Sequence, residues 1–159
     1  MNPEVGPLRP PAAPPVPAGV IVGSEVIGIG IDVVAIERVR LALARTHSFE
    51  SRVFSRAEIQ HCRSRPDPAT SFAARFAAKE AVLKVLGLGI FDARLSDIEV
   101  TGGGGEPPGL LVPLPQARTA GVDRWLVSLS HDAGVAAAVA VALGGDAPSG
   151  AAERHDRSG

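Results

Sequence analysis

This 159-residue sequence lacks the residues for an internal disulfide bond, a membrane-spanning helix or a strongly charged surface. Its single cysteine, Cys62, has no partner within the chain, which favours a reducing compartment and a cytoplasmic location. No apolar run approaches the ~20 residues that a membrane-spanning helix needs. The net charge is -1, so the chain as a whole is not attracted to nucleic acid or anionic membranes. Any anion-binding site must therefore be local.

Aromatic residues are also scarce, since they form 4% of the sequence and tyrosine is absent. Proteins that bind single-stranded nucleic acid commonly stack the bases on aromatic side chains, and this chain offers no such platform. A nucleic-acid-binding domain that uses Arg52, Arg56, Arg63 and Arg65 therefore remains only an alternative. Binding to random duplexes that weakens steeply with salt would support it.

The two ends of the chain differ in composition from its middle. Residues 1–24 contain a cluster of prolines, and residues 144–159 are polar, so neither stretch can bury enough apolar surface to fold. We expect disordered extensions over 1–24 and 144–159, and one folded domain over 25–143. A domain of roughly 120 residues has a small core, which oligomerisation would usefully extend.

Residues 71–87, with the sequence SFAARFAAKEAVLKVLG, have the pattern of a buried helix. Apolar side chains cover most of its circumference when successive positions are ~100° apart. The charged residues form two pairs at i,i+4 spacing, Arg75 with Lys79 and Glu80 with Lys84. On a buried helix such charges need an ion partner, a metal or a bound anion. On an exposed face they would be weak surface pairs, and the helix alone leaves both interpretations open.

Residues 26–34, with the sequence VIGIGIDVV, alternate like a strand. The glycines on one face would let a helix or a ligand approach the backbone closely, and Asp32 is the acid on that face. Asp32 could instead only cap the helix predicted over 35–45. That helix exposes Arg38 and Arg45, and an exposed arginine row is usually just solvated.

The remaining elements are predicted to be short. Ser55 and Glu58 have the spacing of a capping box, which predicts a helix over 56–62. Thr70 or Ser71 is expected to cap the central helix. His61 and Cys62 are adjacent in this short helix, which is a poor spacing for metal ligands. Strands are predicted over 96–101, 110–113, 125–131 and 135–143.

Three segments occur in a characteristic order and spacing: GIGID at 28–32, followed by Glu37 and Arg38; RFAAKEA at 75–81, with Lys84 after it; and VSLSH at 127–131. Over about 26–143 the chain resembles the holo-acyl-carrier-protein synthases, the small bacterial type of 4'-phosphopantetheinyl transferase. The resemblance implies an α+β fold in which an antiparallel sheet packs on a long buried helix. It also implies a single copy of this unit per chain, assembled as a homotrimer with active sites between subunits.

The reaction of this family moves 4'-phosphopantetheine from coenzyme A to a serine of apo acyl carrier protein and releases adenosine 3',5'-bisphosphate. The resemblance implies that Asp32 and Glu80 hold Mg²⁺. It further implies that Glu80 acts as the base, either directly or through a metal-bound water, and that Lys84 contacts the diphosphate and assists catalysis. Two acids and a lysine suit a reaction that needs a cation on the diphosphate and a proton acceptor at the hydroxyl.

Binding roles follow from the same resemblance. Arg75, Lys79 and His131 correspond to positions around the coenzyme A phosphates. Arg38 and Arg45 match the basic surface that meets the acidic carrier protein, where arginines raise the rate of encounter.

The chain also departs from the family. The usual Gly-Lys-Pro turn is replaced here by Gly-Glu-Pro with Glu106 at its centre, and basic positions after Arg45 are replaced by Thr46, His47 and Ser48. These changes leave open which carrier protein is used, from fatty-acid or polyketide synthesis, and the sequence does not choose between Mg²⁺ and Mn²⁺. A catalytically silent module that binds carrier protein is the alternative function. Such a module would be expected to lose one of the two acids or Lys84, and the chain retains Asp32, Glu80 and Lys84.

Overall fold

A computed structural model describes residues 25–145 of the chain. The disorder expected over 1–24 and 146–159 lies outside these residues. In chain order the elements are β1 (Val26–Ala35), α1 (Ile36–Arg45), α2 (Phe49–Val53), α3 (Arg56–Arg63), α4 (Pro68–Leu86), a 3-10 turn (Leu95–Asp97), β2 (Glu99–Thr101), β3 (Gly109–Leu111), α5 (Pro115–Thr119), β4 (Arg124–Asp132) and β5 (Val135–Leu143).

The main sheet has the strand order β1-β5-β4, and both strand pairs are antiparallel. Helix α4 packs across one face of this sheet, while β2 and β3 form a separate antiparallel pair. The predicted α+β arrangement, with a long buried helix on an antiparallel sheet, is confirmed. None of the helices in the described part of the chain has the length and apolar character of a membrane span.

Helix α4 is longer than its sequence pattern suggested. It begins at Pro68 rather than near residue 71, because proline at the first helical position needs no hydrogen-bond acceptor for its nitrogen. The residue before the helix is Asp67, so the expectation that Thr70 or Ser71 precedes it was wrong. The helix ends at Gly87, which has the left-handed conformation (φ 66°) that glycine adopts without strain.

Two glycines of β1 allow α4 to lie directly against the strand. A Cβ at Gly30 would stand 2.0 Å from the carbonyl oxygen of Ala81, and one at Gly28 would stand 3.0 Å from Val85. Both glycines therefore face the helix, as the alternation of the strand predicted. Asp32 lies on the same face but does not cap α1, because α1 begins after Ala35 without any side-chain cap.

The side chains on the other face of the main sheet are apolar and exposed. On β1, Ile29, Ile31 and Val33 are 67%, 58% and 59% exposed. They lie beside β5, where Val139 and Val141 pair with Ile31 and Ile29 in the strand register. We call these five residues the outer sheet face. An apolar face this size is typical of an interface rather than of a solvated surface.

Candidate active site

The end of β1 and the second half of α4 bring three predicted site residues together. Glu80 and Lys84 lie one turn apart on α4, and Asp32 lies on the strand face that packs against this helix. Lys84 Nζ donates hydrogen bonds to Asp32 Oδ1 at 2.9 Å and to the carbonyl oxygen of Ile31 at 2.8 Å. We call Asp32, Glu80 and Lys84 the carboxylate cluster. It contains the three residues to which the sequence resemblance assigns the chemistry.

Glu80 differs from its neighbours in having an unsatisfied oxygen. Its Oε1 atom is buried and accepts no hydrogen bond from any residue that the structure describes. Burial raises the pKa of Glu80, the nearby Asp32 carboxylate adds to this rise, and Lys84 and Arg38 oppose it. A buried carboxylate oxygen without a partner is costly, and a raised pKa with a specific charged neighbour is typical of functional sites.

The composition of the carboxylate cluster fits a hard divalent cation. Mg²⁺ prefers carboxylate oxygens and usually retains several waters, so one or two protein carboxylates are enough to hold it. Asp32 and the unpaired oxygen of Glu80 are the carboxylate oxygens, from different elements, that would hold such a cation. Within residues 25–145 no group of three histidines, cysteines or acids is arranged to hold a metal. The remaining ligands would therefore come from water and substrate.

Two arginines extend a basic surface along α1 from the carboxylate cluster. Arg38 and Arg45 are both exposed, and seven residues separate them, which places them ~20° apart around the helix. Arg38 lies close enough to Glu80 to oppose the rise in the pKa of that residue. Arg45 is in the last turn of the helix, two turns further on.

An apolar cleft of about 650 Å³ opens beside Arg38, between α1, α2 and residues 90–95. Its wall includes Phe49, Phe76 and Phe91, and the side chain of Phe91 is 94% exposed. The sequence analysis did not predict this cleft. Its residues come from α1, α2, α4 and the loop after α4, and no local pattern indicates that these segments meet.

A second cavity, of about 620 Å³, lies between α3, α4 and the loop after β2, and we call it the anion cavity. The basic residues that line it are His61, Arg65, Arg75 and His131. The Arg75 guanidinium donates hydrogen bonds to Ser71 Oγ at 3.0 Å and to the Gly102 carbonyl oxygen at 2.8 Å. Its Nε is buried without a partner among the described residues. Arg75 and His131, both predicted to lie near phosphates, thus line one cavity.

His61 and Arg65 are the cavity residues that sequence reasoning missed. Burial lowers the pKa of His61, the charges of Arg75 and Arg65 lower it further, and Glu106 opposes them. The interaction with Glu106 brings the Gly-Glu-Pro turn to the same cavity, which Glu106 also lines. No local pattern in the sequence indicates their position, because α3 ends at Arg63 and Arg65 lies in the bend that follows it.

Lys79 does not lie where the resemblance placed it. Its side chain is completely buried, and Nζ donates hydrogen bonds to Glu58 Oε2 at 2.6 Å, to the Leu95 carbonyl oxygen at 2.9 Å and to the Ile98 carbonyl oxygen. An ammonium group has three donors, and all three are used. The expected contact between Lys79 and a coenzyme A phosphate is therefore corrected. Burial lowers the pKa of Lys79, and the Glu58 carboxylate opposes this shift.

Comparisons with known proteins agree with this fold. The family model of the 4'-phosphopantetheinyl transferase superfamily matches residues 28–140. A holo-[acyl-carrier-protein] synthase from Anaeromyxobacter dehalogenans is 44% identical over 131 residues, which cover 77% of this chain and 99% of the relative. The crystal structure of the Helicobacter pylori synthase in complex with coenzyme A is similar, with a TM-score of 0.64 and 33% identity, and the match covers 72% of this chain and 98% of that one.

A further solved relative is the Bacillus anthracis synthase in complex with coenzyme A (3',5'-ADP), with a TM-score of 0.63 and 28% identity. The match covers 76% of this chain and 98% of that one. The chain therefore belongs to the 4'-phosphopantetheinyl transferase superfamily and, within it, to the holo-acyl-carrier-protein synthases.

Proposed function

We propose that this protein is an enzyme that transfers 4'-phosphopantetheine from coenzyme A to a serine hydroxyl of an apo acyl carrier protein. The other product is adenosine 3',5'-bisphosphate. The observation that carries the proposal is the carboxylate cluster, in which two acids and a lysine meet beside an unpaired buried oxygen of Glu80. The names of the similar relatives support the same reaction.

The carboxylate cluster has the groups that this transfer needs. The oxygens of a diphosphate are negative and repel an incoming hydroxyl, so the reaction depends on positive charge at the diphosphate. Mg²⁺, held by Asp32 and Glu80, would supply such charge when bound. Glu80, either directly or through a metal-bound water, is the proposed acceptor of the serine proton.

Lys84 is proposed to neutralise charge on the departing diphosphate oxygen. Its side chain is 54% exposed, although its ammonium donates to Asp32 and Ile31. A lysine whose side chain is half exposed has room to change rotamer toward a bound diphosphate. Asp32 therefore orients the ammonium in the free protein as well as serving as a proposed metal ligand.

Coenzyme A is proposed to place its phosphates in the anion cavity. Arg75 and His131 were expected to contact these phosphates, and His61 and Arg65 add two further donors to the cavity wall. The Helicobacter pylori and Bacillus anthracis relatives, which are described as complexes with coenzyme A, support binding of this ligand by the fold.

The carrier protein is proposed to bind along α1. Carrier proteins present an acidic helix, and Arg38 and Arg45 provide the complementary charges on one exposed face. The apolar cleft begins beside Arg38, so apolar residues of a docked partner would enter it next to the arginine row. A cytoplasmic location is part of the proposal, supported by the buried free thiol of Cys62.

We expect an apo carrier protein mixed with this protein, coenzyme A and Mg²⁺ to gain the mass of one phosphopantetheine group, as measured by mass spectrometry. Carrier protein whose acceptor serine is replaced by alanine is the control and should gain nothing. An unchanged carrier mass, despite measurable binding between the two proteins, would instead indicate the catalytically silent module.

The outer sheet face supports assembly as a homotrimer. The exposed isoleucine and valine side chains on β1 and the partly exposed valines on β5 would leave an apolar area in water, and burying such area contributes about 25 cal/mol per Å². A closed ring of three subunits would cover each copy of this face and remove its exposed edges. The family resemblance, which implies active sites between subunits, points to the same assembly.

Light scattering is expected to give about three times the 16.3 kDa chain mass. Ile29→Asp places a charge on the outer sheet face and should yield monomers, because a carboxylate is costly to bury in an apolar interface. Leu111→Asp is the matched control, since Leu111 is similarly exposed but lies on β3, and it should leave the trimer intact. A monomer that is fully active at assay concentration would show that one subunit holds the whole site.

Glu106 provides a test of the anion cavity. It is one of two acids that line this cavity, the other being Asp67, which is paired with Arg40. Glu106→Lys should tighten the binding of adenosine 3',5'-bisphosphate about tenfold at low salt, because each close charge pair contributes roughly 1 kcal/mol in water and the substitution reverses a sign. Isothermal titration calorimetry measures this change, which should shrink at high salt. Asp97→Lys makes the same charge change away from both cavities and should have little effect.

A further inference from the structure

A buried ion pair, Glu58 with Lys79, lies in the core, and none of its side-chain hydrogen bonds is made with the carboxylate cluster. Both side chains are 0% exposed, and Lys79 Nζ lies 2.6 Å from Glu58 Oε2. Replacing such a pair with apolar residues of similar volume is often neutral or favourable for stability. Stability therefore explains the presence of this ion pair poorly, and its hydrogen bonds point to a structural role between elements.

The Glu58 carboxylate connects three parts of the chain. Its Oε2 accepts a hydrogen bond from the Ser55 backbone nitrogen at 2.8 Å, which completes the predicted capping box at the start of α3. Its Oε1 accepts from the Val100 nitrogen in β2 at 3.1 Å, and Lys79 connects it to α4. Through Lys79 the same group also reaches the carbonyl oxygens of Leu95 and Ile98, which precede β2.

These three connected segments are the ones that form much of the anion cavity. His61 lies on α3 and Arg75 lies on α4, one turn before Lys79. Residues 103 and 104, which follow β2 directly, also line the cavity. The hydrogen bond from Arg75 Nη2 to the Gly102 carbonyl oxygen crosses from α4 to this loop. The relative positions of the basic groups thus depend on these three segments, and the Glu58–Lys79 ion pair, both of whose side chains are fully buried, joins them.

We propose that the Glu58–Lys79 pair positions the anion cavity by fixing α3, α4 and the start of the loop after β2 relative to one another. It acts through His61 and Arg75 and does not itself touch the ligand, because no atom of either residue is exposed. Directional hydrogen bonds fix the relative positions of elements more precisely than apolar packing does, which accounts for an ion pair at this place. The inference rests on the proposed function, in that it takes adenosine 3',5'-bisphosphate as the ligand of the cavity.

The test is calorimetric titration of adenosine 3',5'-bisphosphate into the full-length protein and into the double variant Glu58→Gln/Lys79→Met. The double variant removes both charges together, so neither remains buried alone. We expect its affinity to be about 10- to 100-fold weaker, the scale on which a displacement of about 1 Å affects a site. In the transfer assay KM for coenzyme A should rise, while KM for carrier protein and kcat at saturating coenzyme A stay within about threefold.

Leu114→Ala is the matched control for a loss of stability. Leu114 is buried in the same core but lines neither cavity, so this variant should unfold at lower urea concentration and still bind the nucleotide normally. Equal loss of affinity in Leu114→Ala, or unchanged affinity in the double variant, would overturn the positioning role.

Two further outcomes keep the test decisive. If the double variant does not fold, Glu58→Asp replaces it, because the shorter carboxylate keeps its charge but cannot reach all three segments. Its affinity for the nucleotide should fall, while its KM for carrier protein should be unchanged. Normal affinity for the nucleotide would overturn the inference. Failure of the unmodified protein to bind the nucleotide would overturn the proposed function itself. Binding by the unmodified protein together with normal binding by Glu58→Asp would overturn the positioning role alone.

Discussion

Replacing Glu80 with glutamine should lower kcat for phosphopantetheine transfer by about 10³-fold, within the range of roughly 10² to 10⁴ that a positioned general base contributes. Glutamine has nearly the same shape but cannot accept the serine proton. It is also a weaker ligand for a hard cation than a carboxylate, so the affinity for Mn²⁺, measured by electron paramagnetic resonance in the absence of substrate, should fall as well. Asp32→Ala should lose transfer to a similar extent while retaining its circular dichroism spectrum.

Three comparisons make this experiment specific. Glu37→Gln changes an exposed glutamate of α1 that pairs with Arg40, and its kcat at saturating carrier protein should be unchanged. Chelation by EDTA should abolish transfer by the unmodified protein, and added Mg²⁺ should restore it. Full activity in EDTA would refute the metal assignment of Asp32 and Glu80, and normal kcat in Glu80→Gln would refute its role as the base.

Replacing Lys84 with alanine should lower kcat by about 10²- to 10³-fold, the loss seen when one group that stabilises transition-state charge is removed. The charge of Lys84 matters more as the diphosphate bond breaks than before, and an interaction that strengthens in the transition state affects kcat. Arg38→Ala is the contrasting variant, because an arginine on the exposed rim acts mainly on encounter with the carrier. It should raise KM for carrier protein, less so at high salt, and leave KM for coenzyme A nearly unchanged.

Stopped-flow and steady-state assays of the two variants separate chemistry from docking. A second effect is expected only in Lys84→Ala: its ammonium is the hydrogen-bond donor to Asp32, so Mn²⁺ should bind the variant at least as tightly as the unmodified protein. If the kinetic effects of Lys84→Ala and Arg38→Ala were exchanged, both placements would be wrong, even for an active transferase.

Much of the carboxylate cluster could be predicted from the sequence because its geometry is set by regular periodicity. Glu80 and Lys84 share a side of α4 through i,i+4 spacing, and Asp32 shares a strand face with the glycines that admit the helix. The capping box at the start of α3 was equally local, and the structure contains both of its hydrogen bonds. Local rules suffice wherever the partners lie within one element or one strand-helix contact.

Lys79 shows where such rules end. Its i,i+4 relation to Arg75 placed the two side chains on one side of the helix, and the resemblance gave both a role at the coenzyme A phosphates. The structure separates them, because Arg75 lines the anion cavity and Lys79 enters the core. What separates them is Glu58 and two backbone carbonyls that come from other parts of the chain. Spacing within a helix reports which side a residue faces, and only tertiary packing decides what lies on that side.

His61 illustrates the converse error. Its adjacency to Cys62 was assessed only as a metal-ligand spacing, and on that basis the residue was set aside. The structure places His61 in the anion cavity with basic neighbours, while Cys62, the next residue of the same helix, is fully buried. The start of α4 was missed because the apolar pattern was followed only from residue 71, whereas the helix begins at Pro68.

The contact between Gly30 and Ala81 determines which substitutions would affect the active site and which would affect only the stability of the fold. At Gly30 the strand backbone meets the Ala81 carbonyl directly, and the side chain that packs against both glycines of β1 is Val85. A larger residue at position 30 or 85 would therefore move apart the elements that carry Asp32 and Glu80, whereas core substitutions at positions such as Val82 or Leu83 would act mainly on the melting temperature.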